Sequence, residues 1–225
     1  MVQKIRSIRI SLYWFFFRHL HYLISEYSYD GLNIKLNKNV FHPAFFLSTK
    51  NLYNFIKTFN VSGKTILELG AGTGLIALDC ARRGANVTAT DINAIAVELV
   101  QTNAQNNNLH LTVIYSDLFD DIPIQIFDFI LINPPYYQGE PEGNLQQAFY
   151  AGPHFEYFKK LFFQLTEYII KTSNVFMILA DNCDIEEIKK IASHNNYMFI
   201  LEASIKHKNE ENYIFKIQSL DIEEK

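Results

Sequence analysis

The sequence of 225 residues is poor in the side chains that hold disulfide-linked or metal-stabilised domains together. It has only two cysteines, Cys80 and Cys183, and no CxxC motif, which excludes a disulfide framework and a cysteine-based metal site. The seven histidines show no metal-ligand spacing, so we predict that no metal is bound. Scarce cysteine suits a reducing compartment, and the sequence therefore favours a cytoplasmic location.

Long hydrophobic runs are also absent. Residues 11–17, SLYWFFF, follow three basic residues and superficially resemble a signal peptide, but Arg18 comes directly afterwards and no small-residue cleavage site is present. A membrane span needs about 20 apolar residues, far more than this run contains. We therefore predict no membrane span. Residues 11–17 are interpreted as part of a helix that packs on the domain, with membrane association as the alternative.

Positive charge is concentrated in the N-terminal quarter of the chain. Residues 1–57 hold eight lysines and arginines against two acidic residues, a local charge of +6. Because the whole chain has a net charge of −4, residues 58–225 carry −10. The acidic body argues against a broad nucleic-acid groove. The basic head, residues 1–57, is compatible with a local anionic partner. The alternative is that its charges only solvate the surface.

Strand and helix patterns alternate from about residue 64, which is typical of a parallel sheet with helices on both faces. Apolar runs predict seven strands, at residues 65–70, 86–92, 111–117, 127–135, 174–180, 197–206 and 212–220. Helical spacing predicts helices at residues 74–84, 93–107, 154–170 and 184–196, and an Asp-Gly turn predicts a hairpin at residues 27–36.

The predicted fold class is therefore α/β: a doubly wound, mostly parallel seven-stranded sheet with an antiparallel last strand and an N-terminal helix and hairpin extension. No linker-like stretch separates the head from the body. We expect an extension of residues 1–57 that packs on a core domain of residues 58–225.

The first predicted strand ends in a glycine-rich turn, ILELGAGTG, which contains Glu68, Gly70, Gly72 and Gly74. Glycines at such a turn allow positive φ and a close approach of the backbone to a ligand. The dinucleotide-binding fingerprint GxGxxG would require a third glycine where Leu75 stands, which argues against a dehydrogenase. Acidic residues end the next two strands, so three strand ends carry ligand-binding chemistry at one edge of the sheet.

The fourth strand ends in an unusual way, with Asn133 followed by Pro134, Pro135 and Tyr136. Asn and Pro are ordinary turn formers, so one interpretation is a strand that simply stops. Together, however, the motifs ExGxGxG at 68–74, the acid at 91, SDLF at 116–119 and NPPY at 133–136 resemble the class I S-adenosylmethionine-dependent methyltransferases. NPPY resembles the members that methylate planar nitrogens, above all the HemK-like protein-glutamine N-methyltransferases and related small-domain methyltransferases, over roughly residues 40–180.

The resemblance implies a Rossmann-like methyltransferase fold and S-adenosyl-L-methionine as the cofactor. It implies that Asp91 accepts hydrogen bonds from the ribose hydroxyls, that Ile92 packs on the adenine, and that Asp117 accepts from the adenine amino group. The glycine turn would run beside the methionine part, and Glu68 would organise that turn or simply cap it. The implied cofactor-binding residues are Glu68, Gly70, Ala71, Gly72, Gly74, Asp91, Ile92, Asp117, Leu118 and Asn133.

The implied catalytic residues are Asn133, Pro134 and Tyr136. An amide nitrogen is a poor nucleophile, and positioning it against a methyl group contributes about 7–11 kcal/mol in favourable cases. The Asn133 side-chain oxygen and the Pro134 carbonyl would each accept one N–H of the substrate and stabilise the developing positive charge. Consecutive prolines stiffen the turn, and the Tyr136 ring would stack on a flat substrate group.

Several substrates remain open at this point. The small acidic body favours a protein glutamine amide, with a translation factor or a ribosomal protein as the partner. The alternative is an exocyclic amine of adenine or guanine in RNA or DNA, flipped or single-stranded; a small amine and a non-catalytic cofactor-binding subunit are further alternatives. Residues 42–49, HPAFFLST, stand where the HemK-like family carries a charged PRxxTE pattern, which puts a release-factor substrate in question. Oligomeric state is not predicted.

Overall fold

The computed structural model describes residues 25–43, 47–207 and 210–221. The predicted helix around residues 11–17 lies outside the described residues. Within the described part of the chain, no helix has both the length and the apolar character that crossing a membrane requires.

The described elements follow the predicted alternation of strands and helices. The strands are β1 (Glu26–Tyr29), β2 (Leu32–Lys35), β3 (Thr65–Leu69), β4 (Asn86–Asp91), β5 (Thr112–Tyr115), β6 (Phe129–Ile132), β7 (Asn174–Ala180), β8 (Tyr197–His207) and β9 (Glu210–Ser219). The helices are α1 (Leu47–Ile56), α2 (Leu75–Arg82), α3 (Ala94–Asn106), α4 (Asn144–Gln147), α5 (Glu156–Gln164) and α6 (Ile185–Ser193), with a 3₁₀ helix at Leu165–Tyr168.

Seven strands form one sheet in the order β5-β4-β3-β6-β7-β9-β8. The first five strands in this order run parallel to one another, whereas β9 runs antiparallel to both β7 and β8. The predicted fold class is confirmed. From β3 the chain proceeds outward to β4 and β5 and then returns to β6 on the other side, so the strand order reverses between β3 and β6. In open α/β sheets, ligands bind at the carboxyl ends of the strands at such a reversal.

The central strands are apolar on both faces because helices cover both. In β6, Ile130 and Ile132 join a core beneath α5 and α6, whereas Phe129 and Leu131 join the core beneath α1, α2 and α3. All four side chains are at most 5% exposed. This burial on both sides explains why β6 reads as a continuous apolar run rather than as an alternating pattern.

Two helices differ from the sequence prediction. Helix α1 was not predicted, although Leu52, Phe55 and Ile56 recur at helical spacing. It buries Leu52, Tyr53 and Ile56 in the core beneath the sheet. The helix predicted at residues 154–170 is shorter, since it begins at Glu156 after Phe155 adopts φ 58° and it continues only as the 3₁₀ helix. Tertiary packing decides both cases.

The hairpin β1–β2 is present as predicted and packs on the body of the protein. Leu32 and Ile34 are buried in the same core as α2, and the Lys35 backbone N–H donates to Asn103 Oδ1 of α3 at 2.7 Å. The division of the chain at residue 57 stays a prediction.

Candidate active site

The carboxyl ends of β3, β4, β5 and β6 border one cavity of about 350 Å³. The cavity therefore lies at the reversal of strand order, where the fold places ligands. The structure brings together every site residue that the sequence predicted except one. Those lining the cavity are Glu68, Gly70, Ala71, Gly72, Asp91, Ile92, Asp117, Leu118, Asn133, Pro134 and Tyr136.

The backbone of the glycine turn is hydrogen-bonded to the next strand, β4. The backbone N–H groups of Gly70 and Ala71 both donate to the Thr90 carbonyl at 2.9 Å, and Gly70 and Gly72 have positive φ values of 72° and 56°. A Cβ built on Gly70 would meet no atom within 4 Å, and one built on Gly72 would meet none closer than 4.0 Å. The backbone here borders empty space, which is the arrangement that a closely approaching ligand needs.

Gly74 is the exception, because it does not line the cavity. It has φ 81° at the start of α2, and a Cβ there would lie 3.0 Å from Cγ1 of Val100 on α3. Its assignment as a cofactor-binding residue stays a prediction that the lining of the cavity does not support. Glycine is needed at this position for the left-handed backbone and for the close packing of α2 against α3.

Asp91 ends β4 and accepts two backbone hydrogen bonds. Its Oδ2 accepts the N–H of Gly72 and its Oδ1 accepts the N–H of Asn93, each at 2.9 Å. Burial raises the pKa of Asp91, and these backbone hydrogen bonds oppose that rise. A carboxylate has about four lone-pair sites, so it retains acceptor capacity toward the cavity.

Glu68 connects the two elements that flank the glycine turn. It is only 6% exposed, and its Oε2 accepts the backbone N–H of Ala77 in the first turn of α2 at 2.8 Å. Burial raises the pKa of Glu68 to about 8, with a smaller contribution of the same sign from Asp91 and an opposing one from the Ala77 hydrogen bond. Burial therefore favours the neutral, protonated form of this side chain.

Asp117 follows β5 and is half exposed at the cavity. Lys160 of α5 bridges two acids, with its Nζ 2.5 Å from Asp117 Oδ2 and 2.7 Å from Asp120 Oδ2. The neighbouring Leu118 is buried with φ 56°, and Ser116 Oγ donates to its carbonyl at 2.8 Å. The loop that carries Asp117 is thus fastened to α5 by an ion pair.

Asn133 follows β6 directly and is partly buried at the cavity wall. Its Nδ2 donates to the Thr49 hydroxyl oxygen of α1 at 3.2 Å. Pro134, which comes next, is buried, and the two prolines fix φ through the turn. The polar end of this strand is therefore held in place by a contact with another element and is not a loose turn.

The tyrosines after the prolines form a pair. The rings of Tyr136 and Tyr137 meet edge to face with centroids 4.9 Å apart, and Asn182 Nδ2 donates to the Tyr137 hydroxyl at 3.0 Å. Burial raises the pKa of Tyr136 well above its usual range and that of Tyr137 to about 12. Both phenols are neutral at physiological pH, so the pair offers flat apolar rings.

Several lining residues were missed by the sequence analysis. Thr49 and Lys160 reach the cavity from helices α1 and α5, as does Tyr157, whose pKa is raised mainly by burial and also by the charges of Asp117 and Asp91. The rings of Phe41 and Phe149 meet over the cavity with centroids 5.6 Å apart. No local motif marks any of them, because each is defined by its distance in space from the strand ends.

Within residues 25–43, 47–207 and 210–221, no group of three or more His, Cys, Asp or Glu side chains is placed to hold a metal ion.

A sequence profile of the methyltransferase small domain family matches residues 34–154 of the chain, more than half of its length. The chain belongs to this family. The profile spans β2 through the loop before α5, and it includes the glycine turn, Asp91, Asp117 and Asn133.

This member of the methyltransferase small domain family is similar to two proteins named as glutamine methyltransferases. It is 42% identical over 110 residues to a Methanocaldococcus jannaschii protein named for protein N5-glutamine methylation, covering 48% of this chain and 52% of that protein. It is 33% identical over 141 residues to the release factor glutamine methyltransferase of Streptococcus pneumoniae, covering 61% and 50%. The chain thus spans about half the length of the curated relatives that it matches.

The fold of this chain is also that of a solved enzyme. The 16S rRNA N2 G1207 methyltransferase of T. thermophilus, in complex with AdoMet and guanosine, matches with a TM-score of 0.60 at 18% identity over 85% of this chain and 49% of that one. At this identity the likeness establishes the fold alone.

Proposed function

We propose that the protein transfers a methyl group from S-adenosylmethionine to a planar nitrogen, the side-chain amide of a protein glutamine. One observation carries the proposal: the oxygen acceptors at the end of β6 and the glycine turn at the end of β3 border the same cavity. Methyl transfer requires an acceptor nitrogen and a methyl donor to meet in line, and strand ends on either side of the reversal provide two such positions.

The residues present fit the cofactor. The open space at Gly70 and Gly72 accommodates a ligand against the backbone, and Asp91 retains acceptor capacity for a pair of hydroxyls. Ile92 is 39% exposed at the cavity and offers an apolar face to a purine ring, with Asp117 and Leu118 beyond it. S-adenosylmethionine, when bound, supplies an electrophilic methyl group.

The acceptor amide would be held by oxygen atoms of this chain. Asn133 Oδ1 and the Pro134 carbonyl each accept one N–H of the substrate NH₂, and Tyr136 stacks on its plane. Two fixed acceptors orient the nitrogen and stabilise the positive charge that develops on it as the methyl group arrives. No strong base is required, because the proton leaves after transfer, and neither Asn133 nor the neutral Tyr136 could act as one.

The relatives favour glutamine as the acceptor. Both the archaeal and the streptococcal proteins are named for glutamine methylation. The family profile, which matches residues 34–154, includes the end of β6. We infer that the partner is a translation factor, with a release factor as the first to test. The HPAFFLST segment lacks the charges of the family's PRxxTE pattern, so recognition of the partner must use other residues.

A second candidate is methylation of an exocyclic base amine. The rings of Phe41, Phe149 and Tyr136 border the cavity and could stack on an extruded base. The same two carbonyl acceptors would hold its NH₂ group.

A methyl-transfer assay separates the two. Purified protein is incubated with tritiated S-adenosylmethionine and a bacterial release factor, total tRNA or rRNA in parallel reactions, and labelled products are digested for mass spectrometry. We expect label on glutamine in the protein reaction and a much lower rate of labelling after Asn133→Ala. Label only on adenine or guanine would establish the second candidate, and no label in any reaction, together with no cofactor binding by calorimetry, would contradict both.

A further inference from the structure

Helix α5 holds the loop that carries Asp117 through a lysine. Lys160 Nζ lies 2.5 Å from Asp117 Oδ2 and 2.7 Å from Asp120 Oδ2, so one ammonium group bridges two carboxylates. Lys160 and Asp117 are 43 residues apart in the sequence, and both line the cavity. An ammonium group only donates hydrogen bonds and an ionised carboxylate only accepts them. The direction of this contact is therefore fixed by the chemistry of the two groups.

We propose that Lys160 is a positioning residue for the cofactor: by binding Oδ2 of Asp117, it fixes the carboxylate so that Oδ1 accepts the exocyclic amine of the adenine. The proposal rests on the proposed function, because it concerns the purine end of the S-adenosylmethionine site. It adds a residue on α5 that acts through Asp117 and makes the site selective for a purine that carries an amine.

The charge state of the bridge suits this role. Burial acts to lower the pKa of Lys160, but the hydrogen bonds and charges of Asp117 and Asp120 raise it above its ordinary value. The pKa of Asp120 is lowered, first by its hydrogen bond from Lys160 and then by that from Gln164. Lys160 is therefore a cation at neutral pH, and it offsets the repulsion between two neighbouring carboxylates.

The rest of the loop has contacts of its own with the same stretch of chain. Gln164 at the end of α5 donates through Nε2 to Asp120 Oδ1 at 2.7 Å. The Tyr168 hydroxyl, in the 3₁₀ helix that follows, donates to the Ile122 carbonyl at 2.9 Å. Loss of Lys160 is therefore expected to release the Asp117 side chain without detaching the loop.

The Asp117 carboxylate has little else to orient it. Within the part of the chain that the structure describes, Lys160 is the only hydrogen-bond donor that reaches this side chain, which is 50% exposed. Leu118, the next residue, has a left-handed backbone with φ 56°, a conformation that surrounding contacts must hold. Without Lys160, the Asp117 side chain would rotate toward solvent and away from Asp120, and Oδ1 would lose its fixed place.

A fixed acceptor distinguishes purines by the group that faces it. An exocyclic amine donates to Oδ1, whereas a hydrogen atom bound to carbon at the same place leaves the carboxylate without a partner. Hydrogen bonds weaken steeply when their distance and angle depart from the optimum. A mobile Asp117 would therefore bind the amine less well and discriminate less between the two purines.

Titration calorimetry tests this with two ligands, S-adenosylhomocysteine and its analogue in which a hydrogen atom replaces the exocyclic amine of the purine. We expect Lys160→Met to weaken S-adenosylhomocysteine by about 3- to 10-fold, between the effects of losing an exposed ion pair and a hydrogen bond to a charged group. Affinity for the analogue should hardly change, so the ratio of the two dissociation constants should fall.

Two further variants serve as comparisons. Lys160→Arg retains a cation that can bridge two carboxylates, and it should keep most of the wild-type ratio. Lys159→Met, at an exposed neighbour on α5 that does not line the cavity, is the matched control and should leave the ratio unchanged. A purely structural role of Lys160 would lower the melting temperature and weaken both ligands equally. An unchanged ratio in Lys160→Met would overturn the inference.

A double-mutant cycle shows whether Lys160 acts through Asp117. Asp117→Ala should itself lower the ratio, and Lys160→Met added to it should change the affinity for S-adenosylhomocysteine little further. Additive losses would mean that Lys160 contacts the cofactor directly, and they would overturn its positioning role.

Failure of the proposed function would look different. A wild-type protein that binds neither ligand would contradict the cofactor assignment and the role of Lys160 together. A wild-type protein that binds S-adenosylhomocysteine and prefers it to the analogue, with the same preference in Lys160→Met, would overturn the inference on Lys160 alone. Binding of these ligands requires no methyl acceptor, so the result holds whichever nitrogen is methylated.

Discussion

The backbone N–H of Gly72 lies 2.9 Å from Oδ2 of Asp91, so the glycine turn and the acid at the end of the neighbouring strand are joined directly. The carboxylate is thereby held in place by the turn that would bind the other end of the cofactor. Gly72 and Asp91, which are 19 residues apart in the sequence, are therefore in direct contact in the structure.

This contact leads to the first prediction, on cofactor affinity. Asp91→Ala removes a carboxylate that is placed to bind the ribose and also frees the N–H of Gly72. Because hydrogen bonds to charged groups contribute about 1.5–3 kcal/mol, we expect an affinity loss of roughly 10- to 100-fold in titration calorimetry with S-adenosylmethionine. Asp121→Ala, at an exposed acid that does not line the cavity, is the control. Equal affinities of the two variants would remove Asp91 from the cofactor site.

The second prediction separates binding from turnover. Asn133→Ala deletes a proposed acceptor of the substrate NH₂. It also tests whether Asn133, which the resemblance places among the cofactor-binding residues as well, contributes more to turnover than to cofactor binding. We expect kcat to fall by about 100- to 1,000-fold, as for loss of one oxyanion-hole donor, with cofactor affinity nearly unchanged. Asn106→Ala, at the exposed end of α3, provides the comparison in the same tritium assay. Wild-type turnover by Asn133→Ala would refute its catalytic assignment.

The third prediction concerns pH and stability. The pKa of Glu68 is about 8 in the folded protein, above the ordinary value of 4.5, because burial favours the neutral acid. The folded state therefore binds more protons than the unfolded state between these values, and its stability falls as pH rises through that window. Glu68→Gln keeps an oxygen for the Ala77 N–H but cannot ionise. In thermal denaturation, the melting temperature of Glu68→Gln should rise relative to that of the wild type as the pH increases from about 5 to about 9. If the melting temperatures of the two proteins changed with pH in parallel, Glu68 would not titrate in this pH range.

The fourth prediction concerns the packing of Gly74 against α3. Gly74→Ala forces a side chain into a left-handed backbone, at about 1–2 kcal/mol, and crowds Val100, at about 1–3 kcal/mol more. Gly63→Ala isolates the first contribution, since Gly63 has φ 72° and a Cβ added there would meet no atom within 4 Å. We expect Gly74→Ala to be the less stable variant in urea denaturation and the double change with Val100→Ala to recover part of the difference. Equal stabilities would show that packing against α3 is not limiting.

Local patterns in the sequence were enough to predict the sheet. Strands β3, β6 and β7 were recognisable because buried parallel strands are apolar along their whole length, and each predicted run overlaps the observed strand. The shortened helix α5 shows the limit of this reasoning, since the apolar stripe continues past Gln164 while the backbone changes to a 3₁₀ helix. Periodicity reports which residues are buried and does not report where the helical hydrogen bonds end.

The chain alone determined that Gly70, Asp91 and Asn133 would meet, because carboxyl ends of adjacent parallel strands lie at one edge of the sheet and each of these residues ends a strand or begins the following turn. The tertiary structure alone decided what surrounds them. Thr49 reaches Asn133 across 84 residues, and Lys160 reaches Asp117 across 43. Such pairs depend on which helix covers which strand end. The packing of the whole core decides that arrangement, and a local sequence pattern does not indicate it.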